Sequence, residues 1–273
     1  MLEVSTHGEI TRLWMARSFG GRSLHSVSAY LLGDTLVDSG SPATADELAD
    51  WCRHRGVRRV VHTHHHEDHT GGDAVLVERL GLEIWAPAST VPILGSFYRL
   101  PWYRRLVWGQ PRSATARPYG DVVRIGDSEF RAIPTPGHAA DHHCLFDEER
   151  RWLFSGDLFI STRVTHVRRS EDAATILSSL RRLLALDPAL VICSHAGFVE
   201  DARSAIKRRI AFWEELGGQA ASLAATGCTP RTIRRRLLGS EGAMMLLSCG
   251  DFSKTNLIRS LLGMHEGGAG ALV

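Results

Sequence analysis

Apolar positions in the first 195 residues recur every second residue or in short continuous runs, broken by helical stretches, and then settle into a helical period. Strands are expected near 10–16, 26–33 and 35–38, then a helix over 44–55 that Ser41-Pro42 opens and Gly56 closes. Val57–His62 reads as a strand, Gly72–Leu80 as a helix and Glu83–Ala86 as a short strand. A second set of strands falls at Val122–Ile125, Glu129–Thr135, His143–Phe146 and Trp152–Ser155. Glu171–Leu186 is helical, with Ile176, Leu177, Leu180, Leu183 and Leu184 on its apolar face, and Leu190–Ser194 is the last core strand. Helices are expected beyond it at 199–216, 218–226, 230–238 and 254–262. Thr229 and Ser253 are suited to cap the last two, with Pro230 at a first helical position and Gly263 past an end. The tail from His265 is Gly-rich and expected to be loose. Alone, this order says α/β and no more.

One segment departs from the rhythm. Between Ala88 and Gly120, Phe97, Tyr98, Trp102, Tyr103 and Trp108 lie among Arg99, Arg104 and Arg105 on a Pro-broken stretch. Such density suits a lid, a wall for an apolar acyl group, a contact between two copies of the chain, or packing of the excursion onto the body.

Composition narrows the class. A chain of 273 residues, 44% hydrophobic and 23% charged, is an ordinary globular protein of one or two domains. Its 32 basic and 30 acidic residues leave a net charge of +2, which makes no general case for nucleic acid or an anionic membrane. Arg234-Arg235-Arg236 reads as a solvated helix face before a nucleic-acid contact. No apolar run approaches the roughly 20 residues of a membrane span, and the start lacks a basic segment followed by an apolar one, so a cytoplasmic protein is expected. Five scattered cysteines without a C-x-x-C pair fit reduced thiols.

The chemistry is concentrated in residues 63–72, Thr-His-His-His-Glu-Asp-His-Thr-Gly-Gly, directly after an apolar run. Imidazoles and carboxylates are borderline ligands for zinc, iron or manganese, and His64, His66, Asp68 and His69 can converge only if the backbone turns sharply, which Gly71 and Gly72 would allow. His64 and His66 share a side of an extended segment, whereas Asp68 and His69 point elsewhere, so two ions suit the cluster better than one. A solvated His tract would give the same local sequence. Against it stand Thr135-Pro136-Gly137-His138, Phe154-Ser155-Gly156-Asp157 and Cys193-Ser194-His195, each a lone His or Asp after a strand-like run.

With these residues the chain resembles the metallo-β-lactamase superfamily, whose H-x-H-x-D-H motif matches His64, His66, Asp68 and His69. The likeness begins at the opening strands, Ser28-Ala29-Tyr30-Leu31-Leu32 and Leu36-Val37-Asp38-Ser39-Gly40. It implies an α/β fold, the αββα sandwich, over residues 1–200 with the 88–120 insertion, and a small C-terminal helical module over 201–273. It further implies that His64, His66 and His138 hold one metal, Asp68, His69 and His195 a second, and that Asp157 bridges them. The cofactor is then two divalent ions, zinc first, with iron or manganese acceptable.

The activity implied is that of a dinuclear metal-dependent hydrolase in which a metal-bridging hydroxide cleaves an ester, lactone or thioester, with Asp68 a ligand that also orients the nucleophile and relays its proton. Phosphodiester or RNA hydrolysis and a mononuclear iron persulfide dioxygenase using His64, His138 and Asp157 are the alternatives. Secreted β-lactamases, flavodiiron oxidoreductases and tRNA-processing nucleases are disfavoured by the missing leader, by His66 where a Glu is expected, and by missing extra motifs respectively. The Lys and Tyr residues that hold glutathione in glyoxalase II have no clear match. Expected substrate contacts are His142, Arg163 and His166, His142 alternatively supporting a ligand, with Glu67 either exposed or supporting a ligand and His62 packing or orienting the loop. The partner is a small-molecule substrate, with a homodimer an open option.

Overall fold

The computed structural model describes residues 1–19 and 22–264; the tail from His265 lies outside them. Among the described residues, two sheets lie face to face with helices outside each. The first sheet takes its strands in chain order: β1 (Leu2–His7), β2 (Ile10–Phe19), β3 (Arg22–Leu32), β4 (Thr35–Val37), β5 (Arg59–Val61), β6 (Glu83–Ala86) and β7 (Arg117–Pro118). Pairing is antiparallel through β4 and parallel from β4 to β7. The second comprises β8 (Val122–Ile125), β9 (Ser128–Pro134), β10 (His143–Asp147), β11 (Trp152–Gly156), β12 (Leu190–Cys193) and β13 (Gly197–Val199) in the order β13-β12-β11-β10-β9-β8, with only β11 and β12 parallel.

The helices are α1 (Ala45–Cys52), α2 (Glu67–Thr70), α3 (Asp73–Leu80), α4 (Val91–Leu94), α5 (Trp102–Val107), α6 (Ala173–Ala185), α7 (Ala202–Ala225), α8 (Pro230–Leu238), α9 (Ala243–Leu247) and α10 (Lys254–Leu261). Alternation along single strands builds the layers. In β4 and β5, Leu36 and Val60 pack outward with Leu48 of α1 and Leu76 of α3, while Val37 and Val61 join Phe130, Phe154 and Ile192 between the sheets. In β11 and β12, Leu153 and Val191 face Leu180 of α6 and Ile206 and Trp213 of α7. The αββα order is thereby a direct reading of which residues are apolar on both faces of a strand.

Three expectations differ. The helix expected over 44–55 is present as α1 but is shorter, ending at Cys52, and a 3-10 turn at Pro42–Thr44 leads into it. The 88–120 span, expected to be irregular, carries α4, α5 and β7. The helices expected at 199–216 and 218–226 are one 24-residue helix, α7. Gly217 and Gly218 do not break it: a helical glycine costs about 1 kcal/mol, and α7 is held along its length by α6, α8 and α10, with Leu261 beside Gly217. The caps are as expected, Thr229 Oγ1 accepting from Thr232 N–H (3.3 Å) and Ser253 Oγ from Thr255 N–H (2.9 Å). The last core helices share a single apolar cluster with the second sheet and α6, and Val167 pairs with Ser253 across the junction.

Candidate metal centre

β9, β11 and β12 run in one direction, so their C-terminal ends deliver His138, Asp157 and His195 to one edge of the sandwich, where the segment after β5 brings His64, His66, Asp68 and His69. The seven side chains form two adjoining donor groups, His64/His66/His138/Asp157 and Asp68/His69/Asp157/His195, with donor atoms within 4.8 Å of one another in each. Asp157 belongs to both.

The turn that carries the first cluster is tight for a reason other than the one expected. Gly71 has an ordinary helical φ of −68°. What its position excludes is bulk: a Cβ there would lie 2.1 Å from Pro42 Cδ and 2.5 Å from Glu67 O. Gly156, by contrast, needs its conformational freedom, with φ at +47° and no room for a Cβ against His142 Nε2 (2.6 Å).

Four of the five histidines are oriented by an acceptor on the nitrogen turned away from the cluster, while His66 has Arg168 Nη1 3.3 Å from its Nε2. His64 Nδ1 donates to Thr63 Oγ1 (3.1 Å), whose hydroxyl donates to Asp38 (3.0 Å). His138 Nδ1 meets Glu171 Oε1 (2.5 Å), His195 Nδ1 donates to Ser26 O (2.8 Å) and His69 Nδ1 to Asp38 Oδ2 (2.7 Å). The opposite nitrogens therefore present lone pairs inward. Nε2 of His64 and Nε2 of His138 each lie 2.9 Å from His66 Nδ1, and the Nε2 atoms of His69 and His195 each lie 3.2 Å from Asp157 Oδ1.

Acceptors crowded together in this way need a cation between them. Asp68 Oδ1, His69 Nε2 and Asp157 Oδ1 are buried without a hydrogen-bond partner, the signature of donors reserved for something other than protein. The same crowding attracts protons: burial opposes charge on His69 and His195, yet Asp157 outweighs it, with Asp38 and Asp68 adding at His69 and Asp68 at His195, raising His69 well above its ordinary value and His195 to about 9, so a metal would bind there by displacing protons. Burial also opposes ionisation of Asp157, but His195 and His69 hold it well below the carboxylate range. Burial keeps His64 and His66 neutral, as a ligand must be. The donor set fits two divalent ions of the borderline kind.

A cavity of about 520 Å³ opens onto Asp68, His138, Asp157 and His195. Tyr103, Val107 and Trp108 from the 88–120 span, Trp213 and Met244 from α7 and α9, and Phe252 from the connection between α9 and α10 line it. The aromatic span is a pocket wall on its inner side, while Phe97, Trp102 and Leu106 are exposed on its outer side.

Of the expected substrate contacts, His166 does line this cavity. His142 does not: it is fully buried, meeting Thr135 Oγ1 (2.8 Å) and accepting from Asp157 N–H (3.1 Å). Its role is to fix the Asp157 backbone. Arg163 does not either; it is exposed, with its guanidinium over the ring of Phe212. Glu67 is fully buried rather than exposed, in a bidentate pair with Arg104. His62 does brace the loop, between Asp38 (3.4 Å) and Asp73 (2.9 Å).

The sequence reading missed Asp38, Glu171, Arg168 and Arg209. Asp38 alone had a local signal, an acid directly after a strand as at Asp157. It sits at φ +61° with its carboxylate accepting from Thr63 N–H (3.0 Å) as well as from His69.

A four-layer sandwich with paired His/Asp donor groups at one edge defines a class of metal-binding α/β proteins. The chain belongs to the metallo-beta-lactamase superfamily, whose family model matches residues 22–195. It is 36% identical over 141 residues to a hydroxyacylglutathione hydrolase of Rhodospirillum rubrum, covering 51% of this chain and 48% of that protein. It is 26% identical to an atrochrysone carboxyl ACP thioesterase of Aspergillus fumigatus, covering 70% and 57% respectively. The chain thus spans about half the length of the curated relatives it matches. A beta-lactamase domain protein of Burkholderia ambifaria shares the fold with a TM-score of 0.68 at 22% identity, covering 94% of this chain and 88% of that one.

Proposed function

We propose that this protein is a dinuclear metal-dependent hydrolase that cleaves an ester, lactone or thioester bond of a small molecule. The observation that carries the reading is the pair of donor groups sharing Asp157, with buried atoms of Asp68, His69 and Asp157 left without a hydrogen-bond partner. The names of the relatives, a glutathione thioester hydrolase and an acyl-carrier thioesterase, support the choice of bond.

His64, His66, His138 and Asp157 would hold one ion and Asp68, His69, His195 and Asp157 the other. When bound, such ions supply Lewis acidity, lowering the pKa of a water from about 15.7 toward 7 and polarising the carbonyl under attack. The protein's own part is positional. Asp38 and Glu171 fix His69 and His138, so the donor set is held before substrate arrives. Asp68 keeps Oδ1 free of partners at the cavity, where it can accept the nucleophile's proton and pass it to the leaving group. Tyr103, Trp108 and Trp213 exclude water around an apolar acyl group.

The test is elemental analysis of the purified protein with a panel of acyl thioesters, lactones and bis-nitrophenyl phosphate, repeated on Asp68→Ala. Two ions per chain and a loss of about 10²- to 10⁴-fold in kcat/KM for one carboxylic substrate class are expected. Full turnover by the variant, one iron per chain with oxygen consumption, or cleavage of the phosphodiester alone would each replace this reading.

A further inference from the structure

Arg209 lies inward on α7 and lines the same cavity, only 2% exposed. Its guanidinium stacks 3.5 Å from the centre of the Trp213 ring, and neither Nε nor Nη1 has a hydrogen-bond partner. The carboxylate whose charge favours it most, Glu171, is already engaged by His138 Nδ1 and by Arg168 N–H (2.8 Å). Burial disfavours the charge, yet a guanidinium keeps its proton in proteins. A buried guanidinium with two unpaired donors is costly unless a partner completes its hydrogen bonds. Arg168, on the same wall, also has a buried Nε without a partner. By contrast, Arg104 at this cavity is saturated by Glu67.

We propose that Arg209 anchors an anionic group of the substrate, a carboxylate or a phosphate, so that the ester or thioester cleaved carries a charge on its acyl or leaving part. This rests on the hydrolase reading for the identity of the bond, while the anion site itself stands on geometry. The planar fork of Arg209 suits a two-oxygen acceptor, and Trp213 holds that plane fixed. No hydrogen bond or ion pair among the described residues joins Arg209 to any of the seven candidate ligands, so recognition and bond cleavage are assigned to different atoms.

The test is calorimetric binding to the metal-loaded protein of linear dicarboxylates from succinate to suberate, each against the monocarboxylate with the same number of carbons. One carboxylate of either probe can engage the ions, so the difference within a pair isolates the second. At one chain length or more, the dicarboxylate should bind about 10- to 100-fold more tightly. Arg209→Met, which keeps an apolar stem against Trp213, should abolish the difference, and Arg209→Lys should retain part of it. ω-Phosphono acids of matched length separate the two anions: a larger gain with them assigns phosphate. If no dianion outbinds its partner, or if Arg209→Met keeps the preference, the proposal is overturned. Because binding is read without turnover, a protein that cleaves no ester yet shows this preference would sink the hydrolase reading alone.

Discussion

The turn that carries the candidate ligands and the wall that faces them are built in opposite ways. The turn is held by neighbours at modest separation: Ser39 accepts from Gly72 N–H (3.2 Å) and donates to Asp73 (2.8 Å), and Asp38 collects Thr63 and His69. The wall is stitched from distant chain. Tyr103 hydrogen-bonds Asp251, Trp213 Nε1 donates to Val164 O (2.8 Å), and Val167 pairs with Ser253. The two sets of interactions meet where Arg104 of α5 pairs with Glu67 of α2, where Arg168 Nη1 approaches His66 Nε2 (3.3 Å), and where Glu171 bonds both His138 and Arg168.

The Arg104–Glu67 junction offers the strongest structural test. Arg104→Met leaves Glu67 buried without its partner and should cost about 3–5 kcal/mol, read as a lowered midpoint in urea. The double variant Arg104→Met/Glu67→Leu should recover much of the loss. If the single change left stability untouched, turn and wall would be more independent than the contact implies.

Asp38→Asn probes the turn alone. It keeps the shape but loses the carboxylate that orients His69, so metal affinity should fall about 10- to 100-fold by competition with a chelator. Thermal stability should change less than in Arg104→Met.

The smallest effect belongs to the far side of the wall. Glu241 is partly buried, which pushes its carboxyl up, but hydrogen bonds from Thr255, the Lys254 N–H and Ser253 outweigh this and hold it below its ordinary value. A depressed folded-state value means stabilisation that is complete above the unfolded pKa of about 4.3 and is lost as pH falls through the folded one. The wild-type Tm should thus drop more than that of Glu241→Gln between pH 6 and pH 3. Parallel curves would remove Glu241 from the account of how α10 is capped.

The same contrast explains what could be read from the chain. Strand after strand, the residue following an apolar run was a His or Asp, so spacing exposed the donors, and the alternation within Leu36-Val37 and Val60-Val61 exposed the layers. The wall was opaque because its members are related only in space. Nothing near Arg209 in sequence signals Glu171 or the cavity, and nothing near His142 says that Gly156 would admit it beneath Asp157. Short helices such as α4 and α5 escaped for a related reason: four to six residues carry too little periodicity to be seen, and tertiary contacts decide them.

The close approach at Gly71 has one more consequence. Because backbone presses on Pro42 there with no space for even a methyl group, the bend that aims four donors inward is wedged in place by its surroundings. An incoming ion would find its seat already carved, and a Gly71→Ala chain would have to push aside the 3-10 turn at Pro42–Thr44 or the Glu67 carbonyl before it could misplace a single imidazole.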